Sequence, residues 1–190
     1  MRNAGLAAAL LAALAVPALA QEDGPGPNLE VVISGESNGT IIIDMLSDVA
    51  PLHVAQITAL AEQGAYDDVA FHRVIDGFMA QTGDVEHGKS GSDMRRAGTG
   101  GSDLPDLPAE FSDVPYERGI VGMARSQNPD SANSQFFIMF DQGSFLNGQY
   151  TVVGRVIEGM EVVDAIKRGT GANGAVVGAP DRMSSVKVLR

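Results

Sequence analysis

From Leu29 the chain reads LEVVIS, reverses through Ser37-Asn38-Gly39-Thr40, and resumes as TIIIDML. Apolar side chains recur in both runs at every second position, the repeat of a half-buried strand. Asn-Gly between two such runs is a strong hairpin signal, because both residues tolerate the positive φ of a tight reversal. Asn38-Gly39-Thr40 is also a glycosylation sequon, but the turn accounts for the dipeptide by itself. Further strand candidates lie at 70–75, 78–83, 119–124, 134–140, 151–157 and 184–189, which makes eight. Only two substantial helices compete with them. Residues 48–64 carry Pro51 in the first turn, an apolar stripe of Val54, Ile57, Leu60 and Ala61, and a terminating Gly64. Residues 159–168 place Met160, Val163 and Ile166 on one face, with Glu161 and Lys167-Arg168 at the dipole-compatible ends. Many strands and two helices predict a mainly β fold, a closed eight-stranded antiparallel barrel capped by the helices.

The ends of the chain and its charge narrow the classes further. Arg2, the apolar run Leu6–Val16 and the small-x-small tripeptide Ala18-Leu19-Ala20 read as a secretory signal peptide over residues 1–20. That run is well short of the roughly 20 residues that span a bilayer. Residues 21–28, QEDGPGPN, read as a flexible lead-in, and residues 29–190 as one domain. Removing 20 of 190 residues leaves 170, enough for a core, and losing Arg2 moves the net charge from −11 to −12. So acidic a chain attracts neither nucleic acid nor an anionic membrane surface. It has no cysteine, which removes disulfides, thiolate metal sites and cysteine nucleophiles together.

The stretch FHRVIDGFMAQTGD, residues 71–84, reads as two short strands joined at Asp76-Gly77. Alternation puts Phe71, Arg73 and Ile75 on one face and His72 and Val74 on the other, while Met79 and Gln81 share a face of the second strand. A guanidinium over an apolar floor donates several hydrogen bonds and keeps its charge. The ordinary alternative is an edge-strand arginine paired with a surface carboxylate. On 134–140, Gln135, Phe137 and Met139 share one face, and Phe136, Ile138 and Phe140 the core-facing one. Two irregular stretches, 83–118 and 125–133, are long enough to be functional. Residues 83–90, GDVEHGKS, satisfy the phosphate-loop pattern, but a glycine-rich segment follows where a helix is required, and Asp84 and Glu86 repel phosphate. His53, His72 and His87 share no metal-ligand spacing; His53, without a sequence neighbour to pair with, is expected on the surface, and His72 as a packed structural residue.

Residues 71–84, the segment GIVGMARSQNPDSANSQFFIMF at 119–140, and FLNGQY followed by TVVGRV at 145–156 resemble, in order, the motifs of the cyclophilin family of peptidyl-prolyl cis-trans isomerases. The resemblance runs from about Leu29 to the C-terminus and implies the same capped barrel. It implies Arg73 as the catalytic group, and Phe78, Met79, Phe137 and Leu146 around a substrate proline. It further implies Gln81 and Gln135 on the substrate backbone, Ala124 and Arg125 along the groove, and Phe145 and Tyr150 as further substrate-binding positions. No cofactor and no metal are implied; the partners are proline-containing polypeptides. Asp76 stands where many members have Pro, Thr82 where many have Gly, Arg125 for an Asn, Phe145 for a Trp and Tyr150 for a His. Without the indole donor at 145, only weak cyclosporin binding is expected. With the signal peptide, the resemblance predicts a monomeric isomerase of the bacterial periplasm that assists the folding of exported polypeptides. A proline-peptide-binding or chaperone module without turnover is the alternative.

Overall fold

The structure is a computed structural model and describes residues 23–189, so the expected signal peptide lies outside the described residues. Nine strands form one curled antiparallel sheet: β1 Asn28–Ser34, β2 Gly39–Met45, β3 Val69–Ala70, β4 Arg73–Ile75, β5 Met79–Thr82, β6 Ile120–Met123, β7 Phe136–Met139, β8 Val152–Glu158 and β9 Arg182–Leu189. Their order is β3-β9-β1-β2-β8-β6-β7-β5-β4. Helix α1 is Pro51–Glu62 and helix α2 is Met160–Asp164. The mainly β architecture is as predicted, and several features within it differ.

The expected strand 70–75 is two strands. β3 pairs with β9 and β4 pairs with β5, at opposite ends of the sheet, and Phe71-His72 crosses between them. The Phe71 amide donates to the Asp181 carbonyl at 2.9 Å, and the His72 carbonyl accepts from Val176 at 3.0 Å. The crossover breaks the alternation, so Phe71 and Val74 are both in the core while Arg73 and Ile75 stay outside the main core cluster. Because β3 and β4 do not pair with each other, the sheet is a half-barrel and not a closed barrel.

The first reversal also differs. Ile33 pairs with Gly39, so the loop is 35–38 and Gly39 already belongs to β2. Ser37 is buried in that loop, its amide donating to Asp181 Oδ1 at 3.0 Å and its hydroxyl to the Val162 carbonyl at 2.7 Å. Docking against two distant segments, and not local turn chemistry, sets this loop. Helix α2 is shorter than 159–168 because the Lys167 amide donates to Asp181 Oδ2 at 2.7 Å and the chain turns off the helical path. The lead-in is partly placed: Pro27 accepts from the Met45 amide at 3.1 Å.

His53 is not on the surface. It is fully buried (0%) in α1, with Nδ1 2.6 Å from Glu110 Oε2. The same carboxylate accepts the amides of Leu52 and His53 at 3.2 and 3.0 Å. Ala50 precedes α1 with no side-chain cap, so Glu110 satisfies two of the amides that every helix start leaves open. The partner is 57 residues away, which no local reading could find.

The main core lies inside the curl under α1, with Leu29, Ile41, Ile57, Phe71 and Ile138 among its buried members. A second apolar cluster occupies the outer face, where Met79, Tyr116, Phe137, Met139, Leu146 and Val152 meet. The two faces of β7 divide as the alternation predicts: Phe136 and Ile138 inside, Phe137 and Met139 outside. The second cluster is the floor of the candidate site.

Burial alone would raise the Glu110 carboxyl, but hydrogen bonds from the His53 ring and from the amides of His53 and Leu52 hold it below its ordinary value. Glu110→Ala is expected to cost about 1–3 kcal/mol, which at this size lowers Tm by about 2–4 °C per kcal/mol in a circular-dichroism melt. A depressed carboxyl contributes stability that is complete above the unfolded-state value of about 4.3 and vanishes as pH falls through the folded-state value. The Tm gap between wild type and Glu110→Ala is therefore expected to hold at neutral pH and close below about pH 4.

Candidate active site

The hairpin β4–β5 turns through Asp76-Gly77, with Gly77 at φ 67°, a conformation open to glycine at no steric cost. Its register sets Arg73 opposite Gln81, and β5 sets Gln81 beside Phe137 of β7. These three strands bring the cation, the amide and the aromatic ring to one surface. There a cavity of about 270 Å³ opens. Its apolar lining is Phe78, Met79, Phe137, Phe145, Leu146 and Tyr150; its polar lining is Arg73, Gln81 and Arg125, with Ala124 between.

Met79 and Leu146 are buried in the floor, and Tyr116 stacks on Phe137 from behind at 5.8 Å between ring centroids. Tyr150 meets Phe137 edge-on at 6.1 Å. Phe145 is 63% exposed and leans on Phe78 at 5.4 Å, so it forms a rim and not a wall. Ten of the eleven expected site residues line this cavity. The eleventh, Gln135, lines an adjoining groove of about 530 Å³ bounded by the 98–102 loop, Ser126, Ser131 and Asn133.

The polar groups form a directed chain. Arg73 Nη1 donates to Gln81 Oε1 at 3.1 Å, Gln81 Nε2 to Gln135 Oε1 at 3.0 Å, and Gln135 Nε2 to the Gly100 carbonyl at 2.8 Å. On its other side, Arg73 Nε donates to the Asn173 carbonyl at 3.0 Å, and Nη2 to Asn173 Oδ1 at 3.3 Å. All these partners are neutral, which sets aside the edge-strand arginine paired with a carboxylate. Burial draws the guanidinium down from its ordinary value and Tyr150 opposes the shift, but an arginine remains a cation throughout the physiological range.

The chain ends on a loop that Asp84 fixes. The fully buried Asp84 carboxylate accepts amides from Glu86, His87, Gly98 and Gly100 at 3.1, 2.8, 2.7 and 3.0 Å. Burial works against the charge, but hydrogen bonds from His87, Gly100 and Gly98 and the nearby His72 hold the carboxyl below its ordinary value. The loop amides that a phosphate would need are thus occupied by a carboxylate. After 83–90 comes a short 3₁₀ turn at Met94–Arg96, not a helix, so the phosphate-loop pattern is coincidental. His72 is packed, as expected, and burial lowers its pKa against the opposing pull of Asp84.

Arg125 is a strut. Nη1 donates to the Ser126 carbonyl and Nη2 to the Gln149 carbonyl, both at 2.9 Å, and the guanidinium lies 4.2 Å from the Tyr150 ring centre. Asn173 is the site residue that sequence reasoning missed. Its signal was there: Asn-Gly at 173–174, the same dipeptide that marks positive-φ turns elsewhere. Among the described residues, no cluster of three or more His, Asp or Glu side chains is arranged to hold a metal, and no helix is long and apolar enough to cross a membrane.

A model of the cyclophilin type peptidyl-prolyl cis-trans isomerase/CLD family matches residues 29–188. The chain is 56% identical over 183 residues to a probable peptidyl-prolyl cis-trans isomerase of Brucella suis, across 95% of this chain and 93% of that one. It is 37% identical over 147 residues to peptidyl-prolyl cis-trans isomerase B of Escherichia coli, across 73% of this chain and 85% of that one. A solved cyclophilin type isomerase of Cryptosporidium parvum superposes with a TM-score of 0.72 at 22% identity, over 86% of this chain and 98% of that one. A cyclophilin of Hirschia baltica does so with a TM-score of 0.68 at 25% identity, over 87% and 75%.

Proposed function

The chain belongs to the cyclophilin family of cofactor-independent peptidyl-prolyl cis-trans isomerases, and from that premise we propose that Arg73 is its catalytic group, acting over the cavity floored by Met79, Phe137 and Leu146. The observation that carries this is the state of the guanidinium. It has five N–H donors. Three serve Gln81 and Asn173, all neutral acceptors, which leaves two donors and an uncompensated charge beside an apolar cavity.

Rotation about X–Pro breaks no bond; its barrier of about 18–20 kcal/mol is the lost resonance of the amide. As the amide twists, the proline nitrogen becomes pyramidal and regains a lone pair. The spare Arg73 donors bond that nitrogen, or the carbonyl oxygen, more strongly in the twisted state than in the planar one. This is differential binding of the transition state, in a site that needs no reorganisation to deliver it. Phe78, Met79, Phe137 and Leu146 hold the proline ring while Gln81, Gln135 and the backbone near Ala124 and Arg125 hold the flanking segment; Phe145 and Tyr150 close the rim.

The natural substrates we propose are exported polypeptides, met in a bacterial periplasm by a monomeric enzyme. The support is the charged start, apolar run and small-x-small tripeptide of residues 1–20.

Cis/trans exchange of an Ala-Pro peptide, followed by NMR, tests the assignment. The uncatalysed reaction takes tens to hundreds of seconds, so acceleration by the wild type is readily seen. Arg73→Ala is expected to lose about 10–100-fold in rate, the worth of one hydrogen bond to a charged group, with peptide affinity kept. Peptide binding without acceleration by the wild type would make the groove a recognition site. A second variant probes the rim. Phe145→Trp restores an indole donor at an exposed position and is expected to tighten cyclosporin binding about fivefold in calorimetric titration, without changing the melting temperature.

A further inference from the structure

We propose that Asn173 is a positioning residue that fixes the plane of the Arg73 guanidinium over the proline cavity. The inference rests on the assignment of Arg73 as the acting group. An arginine has four rotatable side-chain bonds, and a small misplacement of a catalytic donor forfeits much of its effect. Gln81 holds one edge of the guanidinium at a single nitrogen. Asn173 holds the other edge at two, through its backbone carbonyl on Nε and its side-chain oxygen on Nη2.

One residue presents both acceptors to one cation because its backbone is left-handed, with φ 56° inside the 172–174 turn. Asparagine tolerates that region where most side chains do not. The turn is latched to β4 on both sides of Arg73: the Gly169 amide donates to Val74 at 2.8 Å and the Val176 amide to His72 at 3.0 Å. Ala175 bridges Arg73 itself. The turn is too tight for substituents, since a Cβ at Gly169 would strike the Gly174 carbonyl and one at Gly174 would strike Ile75. The loop after α2 is thus built against the strand that carries the cation. A neutral amide suits the task, because it orients the guanidinium without neutralising it.

The test is a double-mutant cycle on kcat and KM for the Ala-Pro peptide. Asn173→Ala disfavours the left-handed turn and removes Oδ1, and is expected to lower kcat about tenfold with KM unchanged. Asn173→Gly keeps the turn and the carbonyl contact, and is expected to recover part of that loss. In the Arg73→Ala background, Asn173→Ala is expected to have no further effect, because its role runs through the arginine. A wild-type kcat in Asn173→Ala, or a loss that persists undiminished without Arg73, overturns the proposal. Should Asn173→Ala melt below the assay temperature, Asn173→Gly decides: about threefold lower kcat supports the proposal, and an unchanged kcat overturns it. Wild-type turnover by Arg73→Ala alone removes the premise, and the inference falls with it.

Discussion

The crossover at Phe71-His72 governs both the shape of this protein and the place of its site. A curled sheet has two free edges, and unpaired edges cost backbone hydrogen bonds and invite association. Here the edges are β3 and β4, consecutive in sequence and at opposite ends of the strand order. Two residues join them; β3 pairs with β9 and β4 with β5 and not with each other, so the short link draws the two edges together. The backbone groups of the crossover go elsewhere, Phe71 to Asp181 and His72 to Val176. Segment 169–176 then runs along β4 where a neighbouring strand would otherwise lie. The cation of β4 therefore faces that segment on one side and β5 on the other.

That geometry sets the electrostatics. An arginine on an exposed edge ordinarily finds a carboxylate, and this chain has an excess of them. Arg73 meets only carbonyl and amide oxygens. Coulombic pairing would stabilise the resting protein while spending the field that a twisting amide needs. Neutral acceptors orient the group and leave the field available. The amide chain through Gln81 and Gln135 reaches Gly100, whose amide is held by Asp84. The carboxylate thus fixes the far end of the chain without touching the cation.

Local patterns carried much of the fold. Alternation placed Phe136 and Ile138 inside and Phe137 and Met139 outside, and Asp76-Gly77 marked the hairpin that sets Arg73 against Gln81. What failed were features fixed by distant partners. His53 reads as a surface residue because Glu110 is 57 positions away. Asn38-Gly39 reads as a two-residue turn because nothing nearby reveals that Ser37 docks on Asp181. A continuous strand over 70–75 satisfies alternation, but alternation cannot say that its halves pair with different neighbours. The cavity residues were legible only through resemblance, since Phe78, Met79 and Leu146 have the composition of any core. Asn173 was legible locally as a positive-φ residue, though not as a partner of Arg73.

Two departures from the family pattern become one when seen in space. Arg125 stands for an asparagine and Tyr150 for a histidine, 25 positions apart. In the fold, the guanidinium of one lies 4.2 Å from the ring centre of the other. A cation over an aromatic face at an exposed site is worth about 0.5–1 kcal/mol, and the same guanidinium ties the 126–127 backbone to Gln149. An arginine here without the ring would lack its stacking surface, and a tyrosine without the arginine would lack one of the contacts that orient it. Tyr150 in turn meets Phe137 edge-on at the cavity wall. The pair therefore reaches the proline cavity through packing. The guanidinium of Arg125 thus serves carbonyls and a ring and braces the groove edge beside the cavity.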